Sequence, residues 1–508
     1  MTRTYSNLIV LHPDDDVGIC RIEAIGGTHM QGLTVRETIP PGHKIALRSI
    51  GSGSPIRRYN QIIGFATRPI EAGECVHTHN MGVHDFLRDY AFCSKVRPQP
   101  ERKQAEFMGI RRANGNVATR NYIGILSSVN CSANVARSVA EHFARNRSES
   151  PLHQFPAIDG VVALTHSTGC AMDGDGLGLQ VLRRTLRGYC AHANFAAVLI
   201  IGLGCESNQI SALLNSDYIP DPTKLHYFNI QEVGGTSKAI AHGIDIVLGL
   251  LNEANRVRRV PCSAEHLTIG LQCGGSDGYS GVSANPALGF ASDLVVAHGG
   301  TVILSETPEI YGAEHLLTHR AVRADVGQKL VQRIRWWEQH VLAHNGTMDN
   351  NPSPGNKAGG LTTILEKSLG AIAKGGSTNL QAVFDYAEHV DVRGLVFMDT
   401  PGYDPVSATG QVAGGANMIC FTTGRGSAYG CAPTPSLKLS TNTPLWEQQE
   451  DDIDINCGSI IDGDSTVAEM GERIFSAILN TASGHKTKSE LHAYGQNEFV
   501  PWQLGATM

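Results

Sequence analysis

The sequence predicts a multidomain α/β protein, with an all-β amino-terminal module followed by α/β domains built on parallel sheets. Three observations carry this. The chain has 508 residues, too many for one hydrophobic core, so two to four domains are expected. Residues 1–92 hold short β-like runs separated by turn signals. From residue 108 onward apolar runs, glycine-rich turns and amphipathic helical segments alternate, the pattern of a parallel α/β sheet.

In residues 1–92 the runs NLIVL, VGICRIEAI, KIALRSI and IIGFATR alternate with PPGHK, GSGSP and EAGE. The polar, Pro-containing segment CSKVRPQPERKQAEF, residues 93–107, reads as a linker. A middle domain, residues 108–260, places the helical segments ANVARSVAEHFARN and GLGLQVLRRTLRGYCAH after apolar runs. The polar stretch EANRVRRVPCS, near 253–263, divides it from residues 261–508, where TIGLQC, TVILSE, GLVFMDT and MICFTT read as further strands.

Hydrophobic residues make up 41% and charged residues 18%, with a formal net charge of -7, the profile of a soluble globular protein. Without a long basic run, nucleic acid is not an expected partner. No apolar segment reaches the ~20 residues needed to span a bilayer, so no membrane association is expected. MTRTYSNLIVLHPDDD has too short an apolar stretch for a leader, and a cytoplasmic location follows as the expectation. The 12 cysteines are then reduced thiols, and no C-x-x-C occurs among them.

Four apolar runs end on a thiol: NYIGILSSVNC at Cys131, DGVVALTHSTGC at Cys170, FAAVLIIGLGCES at Cys205 and HLTIGLQCGGSD at Cys273. Ligands of open parallel sheets bind outside the carboxyl ends of the strands, so thiols there face a site, with His166, Glu206 and Asp277 alongside. Each cysteine alone also suits a small buried hydrophobe. Thiolates at a site favour iron, zinc or an iron–sulfur cluster over magnesium or calcium, although the closely spaced cysteine runs of many clusters are missing. GLGCES begins like a dinucleotide-binding turn, but Ser207 replaces the third glycine, and PGNKAGG lacks P-loop spacing.

Other residues could carry chemistry. His43 and Lys44 follow a Pro-Pro-Gly turn, which holds them on a rigid loop or leaves them solvated. In ECVHTHN, His77 and His79 would share one face of a strand and converge on a metal or a substrate group, or stand as exposed turn residues. Glu306 follows TVILS and should face the strand-end crevice, with Glu309 nearby, whereas Glu314 and His315 are expected on the surface. Asn356 and Lys357 lie in a Pro/Gly loop. Arg120 and Arg425 could each give a bidentate fork for a carboxylate or a structural salt bridge.

Taken together, PPGHKIAL, GECVHTHN, RRANGNVATRNYIGI, HSTGC, GLGCESNQ, QCGGSDGYSGVSANPALG, SETPEIYGAEHLL, NPSPGNKAGG and TTGRGSAYG resemble the altronate/galactarate dehydratase family, in order over nearly the whole chain. The resemblance implies an amino-terminal β-clip (SAF-type) domain, a dimerising middle domain and a carboxyl-terminal Rossmann variant that carries a metal site. It also implies a divalent metal, iron first and manganese second, and dehydration of a sugar acid to a 2-keto-3-deoxy product. HTHN is closer to the altronate dehydratases, so D-altronate is the expected substrate. Galactarate, another aldarate or aldonate, and sulfolactate losing sulfite are the alternatives; the related sulfolactate sulfo-lyases carry GHK and HTHN divided between two chains. A non-catalytic binder of sugar acids is the rival outside the enzymes. On this reading His43 or Lys44 is the acid or base. Arg120, Asn121, Asn356, Lys357 and Arg425 hold the substrate, and the metal ligands come from His77, His79, Cys273 and Glu306. An iron–sulfur cluster is a variant of the metal assignment.

Overall fold

The computed structural model describes residues 7–84, 88–215 and 222–505. The amino-terminal module is antiparallel β, as its alternating pattern requires. Leu8–Ile9, Val17–Cys20, Lys44–Ala46 and Cys75–Val76 form one sheet in that order; Pro55–Arg58, Gln61–Ala66 and Met81–Gly82 form another. β-branched Val17, Ile19, Ile45, Ile56 and Ile63 are all buried, the environment that favours such residues in strands.

The segment expected as a linker lies against the last domain. Cys93 and Lys95 donate backbone bonds to Thr318 O and His319 O at 3.1 and 2.7 Å. Residues 94–104 are exposed and lie in no helix or strand, and the end of the segment, within Glu106–Arg111, pairs antiparallel with Val260–Ser263. Phe107 and Cys262 face each other in that pair and are buried, which draws both segments inward.

The middle sheet is parallel, in the order Gly160–Leu164, Tyr122–Ser127, Phe195–Gly202, Leu225–Asn229. Its strands alternate: Ile123, Ile125, Leu199 and Ile201 pack under helices Ala133–His142 and Thr236–Ala254, while Leu126, Val198 and Ile200 pack under helix Leu177–Ala191. The last domain holds seven parallel strands, ordered Leu380–Phe384, Gly394–Met398, Thr301–Leu304, Thr268–Cys273, Met418–Thr423, Ser436–Ser440 and Ile455–Asn456. Helices Ala284–Ala297 and Val467–Ala482 cover one face, and helix Asp404–Ala413 joins the other to helix Leu177–Ala191 of the middle domain. Among the described residues no helix is long and apolar enough to cross a membrane.

Candidate active site

The two central strands of the large sheet decide where the chemistry sits. Thr268, Ile269 and Gly270 lie opposite Thr301, Val302 and Ile303, so continuing that register brings Cys273 opposite Glu306. The chain then turns sharply through Glu306, whose φ of 68° and ψ of 70° place a non-glycine residue in the left-handed region, a conformation costing on the order of 1–3 kcal/mol. Glu306 N donating to Thr400 Oγ1 at 2.9 Å holds it there. The short 3₁₀ turn Thr307–Ile310 follows and returns Glu309 to the same spot, because residues three apart eclipse in that helix.

The result is a buried group of one thiol and two carboxylates with ligand atoms within 4.8 Å of one another. Cys273 Sγ donates to Glu309 Oε2 at 3.0 Å. Lys367 Nζ donates to Glu309 Oε1 at 2.6 Å and Lys374 Nζ to Glu306 Oε2 at 3.4 Å. Glu306 Oε1 is buried with no hydrogen-bond partner, a costly state for a carboxyl oxygen. Burial, and then Glu309, pushes Glu306 well above the usual carboxylate range. Burial would raise Glu309 as well, but Lys367 and Lys374 outweigh it and hold its carboxylate low. Burial and Glu309 push the Cys273 thiol up. One sulfur and an orphaned carboxyl oxygen fit a borderline divalent cation, whose entry would displace the protons now held there.

Beside this cluster the amino-terminal module docks on the last domain through glycine. Gly42, at φ +81°, turns PPGHK so that its carbonyl lies 2.0 Å from where a Cβ on Gly278 would stand and 2.4 Å from one on Gly360. Only glycine permits that approach. The seam is locked below by a buried triad: Lys44 Nζ donates to Glu366 Oε2 at 2.8 Å and to Gly360 O at 2.6 Å, while Arg58 donates to Glu366 Oε1 at 2.8 Å and to Gly278 O at 2.9 Å. Burial works against the Glu366 charge, yet Lys44 and Arg58 hold it at about 2.

Above the seam opens a cleft of about 820 Å³, with His43, Tyr279, Gly359 and Arg425 in its walls. His43 Nδ1 lies 3.2 Å from Pro41 O, and its other nitrogen has no partner among the described residues. Burial lowers its pKa below the ordinary imidazole value, so the ring is neutral and can accept a proton. Arg425 makes no hydrogen bond or ion pair among the described residues, and it is an exposed residue lining the cleft. Two residues beyond Cys273 in the chain, a Cβ on Gly275 would lie 3.2 Å from Arg425 Cβ.

The fold brings some of the expected residues to the cleft and places others elsewhere. Lys44 is completely buried in the triad, so its charge is consumed in joining two domains and its amine does not reach the cleft. His77 and His79 do not share a strand face, because the strand ends at Val76 and residues 77–80 form a turn. His77 instead stacks on His43 with ring centroids 5.4 Å apart and bonds Lys357 O at 2.9 Å, while His79 is exposed; neither joins Cys273 and Glu306. Arg120 is buried, paired with Glu490 and donating to Thr119 O, Thr481 O and His485 O. Asn121 bonds Arg112, Ala157 O and Ala254 O. The protein's own groups satisfy the polar atoms of both. Asn356 is also turned inward, donating to Ser276 O at 2.9 Å with its Oδ1 3.5 Å from Lys367 Nζ; it positions the loop between cluster and cleft. The Lys357 side chain has no bonded partner among the described residues, beside the cleft-lining Ala358. Asp277 accepts from Ser280, Thr441 and Asn442 and braces the cleft floor. Glu314, expected on the surface, is buried against Arg88, Tyr90 and Gly312 N, and half-buried His315 meets Gln61.

Glu309 is the ligand candidate that the sequence reading left out. The Pro308 that follows Thr307 in SETPE was the available signal for a tight turn returning it to Glu306.

Known sequences match the chain over nearly its whole length. Residues 264–507 match the carboxyl-terminal domain family of D-galactarate/altronate dehydratase, residues 109–255 the second domain of D-galactarate dehydratase/altronate hydrolase, and residues 6–84 the altronate/galactarate dehydratase SAF domain. The chain is 35% identical to the altronate dehydratase of Escherichia coli (strain K12) over 507 residues, 98% of this chain and 99% of that protein. It is 37% identical to the galactarate dehydratase (L-threo-forming) of the same organism, over 94% of this chain and 93% of that protein. It is 30% identical to the (2R)-sulfolactate sulfo-lyase subunit beta of Chromohalobacter salexigens, over 80% of this chain and 99% of that subunit.

Proposed function

The chain belongs to the altronate/galactarate dehydratase family and is a hydro-lyase acting on a sugar acid, and from that premise we propose that its substrate is the aldonate D-altronate. The observation that carries the choice is the charge of the cleft. It offers one unpartnered guanidinium, Arg425, whereas Arg21 is tied to Asp462 O at 2.8 Å and the carboxylates of Glu23 and Asp462 stand in the same walls. A single substrate carboxylate is matched by Arg425; the second carboxylate of an aldarate meets Glu23 or Asp462.

In the reaction the C2–H bond breaks, its proton passes to a base, and the C3 hydroxyl leaves with a proton as water; the resulting enol becomes the 2-keto-3-deoxy acid. The α-hydrogen of a carboxylate is weakly acidic, so the site must stabilise the enediolate that forms. Arg425 holds the carboxylate in a bidentate fork, with Lys357 beside it. His43 takes or returns the proton through its free nitrogen, kept neutral by burial and held in place by Pro41 and the stacked His77 ring. Cys273, Glu306 and Glu309 would hold a divalent cation, ferrous iron first and manganese second, which supplies Lewis-acid neutralisation of oxyanion charge. A homodimer joined through the middle domain and a cytoplasmic location complete the proposal.

The test is a screen of aldonic and aldaric acids, with sulfolactate included, under anaerobic conditions with ferrous ion, reading 2-keto acid and sulfite separately. Turnover of D-altronate well above galactarate supports the reading. Preference for galactarate overturns the substrate, and sulfite release overturns the leaving group.

A further inference from the structure

We propose that the thiols of Cys131, Cys170 and Cys205 hold an iron–sulfur cluster at the carboxyl rim of the middle-domain sheet, a centre separate from the Cys273 group. Among the described residues the exposed cysteines are these three. The reading of cysteine as a small buried hydrophobe therefore suits the buried thiols and fails for this set. Each lies just beyond a parallel strand, Tyr122–Ser127, Gly160–Leu164 or Phe195–Gly202, and these three strands are neighbours in the sheet.

Their loops are bound to one another within three residues of every thiol. Asn130 N donates to Thr168 O and Asn208 N to Gly169 O, both at 2.9 Å. Asn208 Nδ2 donates to Ser128 O at 2.9 Å. Gly169, at φ +102°, packs so closely that a Cβ there would lie 2.5 Å from Ser128 O.

The remaining donors of this rim are already committed. Glu206 accepts from Ser128 Oγ, Leu203 N and Gly204 N, filling with its own carboxylate the glycine turn that resembled a phosphate loop. His166 meets Ser127 O and Thr168 Oγ1 through its two ring nitrogens. The thiols are thus the available ligands, and Gln231 Nε2 points at Cys205 Sγ from 3.4 Å, the kind of outer contact that stabilises a thiolate.

A single ion would need its sulfurs drawn together, since metal–sulfur bonds of ~2.3 Å in a tetrahedral site hold neighbouring sulfurs under 4 Å apart. The three thiols are not among the groups that converge within 4.8 Å. A four-iron cluster takes each thiolate on a separate iron and so holds them farther apart than a single ion does. Three thiolates on a four-iron cluster leave one iron open to an oxygen ligand, such as a carboxylate or hydroxyl. Each S–H releases its proton to solvent as its sulfur bonds one iron; assembly from ferric iron also reduces two of the four irons, with dithiothreitol giving the two electrons as it closes to its cyclic disulfide.

The test uses full-length protein reconstituted anaerobically with ferric iron, sulfide and dithiothreitol. Wild type is expected to hold about four acid-labile sulfides per chain with a brown chromophore. Cys131→Ala, Cys170→Ala and Cys205→Ala should each lose most of it, and Cys273→Ala should keep it. Alkylation of wild type, mapped by mass spectrometry, should show Cys131, Cys170 and Cys205 protected only after reconstitution, a readout independent of how any variant folds. Wild type without bound sulfide, unprotected thiols, or equal loss in Cys273→Ala overturns the assignment. None of these readouts involves turnover, so the dehydratase reading stands or falls separately.

Discussion

Arg425 and Arg120 were equal candidates for carboxylate recognition, and the structure gives them opposite fates. Arg425 has no partner among the described residues, so removing it should leave stability within ~0.5 kcal/mol. A charge-assisted hydrogen bond contributes ~1.5–3 kcal/mol net, and the water-open cleft argues for the lower end. Arg425→Lys, keeping one bond of two, should lower kcat/KM about 10-fold, and Arg425→Ala about 100-fold. Most of that loss belongs in KM, because the carboxylate is held alike in ground and transition states. Arg120→Ala strands Glu490, whose carboxylate the guanidinium holds low against the pull of burial, and should cost ~3–5 kcal/mol of stability with near-normal kcat in the folded fraction. Steady-state kinetics on D-altronate with parallel urea unfolding measures both. If Arg425→Ala keeps kcat/KM within a few-fold while Arg120→Ala lowers it with unchanged stability, the assignment of the two arginines is wrong.

Other expectations follow from the same geometry. His43→Ala should lower kcat by ~10²–10⁴ without unfolding the protein. Because burial lowers the His43 pKa, the acid limb of the wild-type kcat/KM profile should fall below the ordinary imidazole value and vanish in that variant. Glu366, held at about 2 against an ordinary 4.5, contributes stability that is fully present above 4.5 and lost as pH falls through about 2, on the order of 3 kcal/mol; urea midpoints across that window measure it, and Glu366→Gln should make the slope shallower by that amount, leaving the share of Glu309 and Glu490. Glu309→Gln should weaken ferrous-ion affinity at least 10-fold by equilibrium dialysis, whereas His79→Ala should leave it unchanged.

The strands that could be read from the sequence are the central ones. TIGLQC, TVILSE, GLVFMDT and MICFTT occupy the four adjacent middle positions of the large sheet, where burial on both faces demands unbroken apolar runs. Those without such a signal flank them: LQAVF, SLKLS and the two-residue Ile455–Asn456. Lys438 sits within SLKLS and satisfies its charge through Ser427 O at 3.2 Å, a partner no local pattern displays. The site divides similarly. Cys273 and Glu306 were legible because each ends an apolar run. The fates of Lys44, Arg120 and Asn121 were not, because their partners Glu366, Glu490 and Ala254 lie 322, 370 and 133 residues away. Whether a polar residue serves chemistry or packing depends on what the tertiary fold places beside it.

The most direct measurement is an anaerobic crystal of the protein with ferrous ion and D-altronate, with anomalous scattering collected across the iron edge. The account predicts an iron peak bounded by Cys273 Sγ and the carboxylates of Glu306 and Glu309, with the sugar-acid carboxylate against Arg425. Iron bound at His77 and His79, or an occupied substrate whose carboxylate lies away from Arg425, would contradict it.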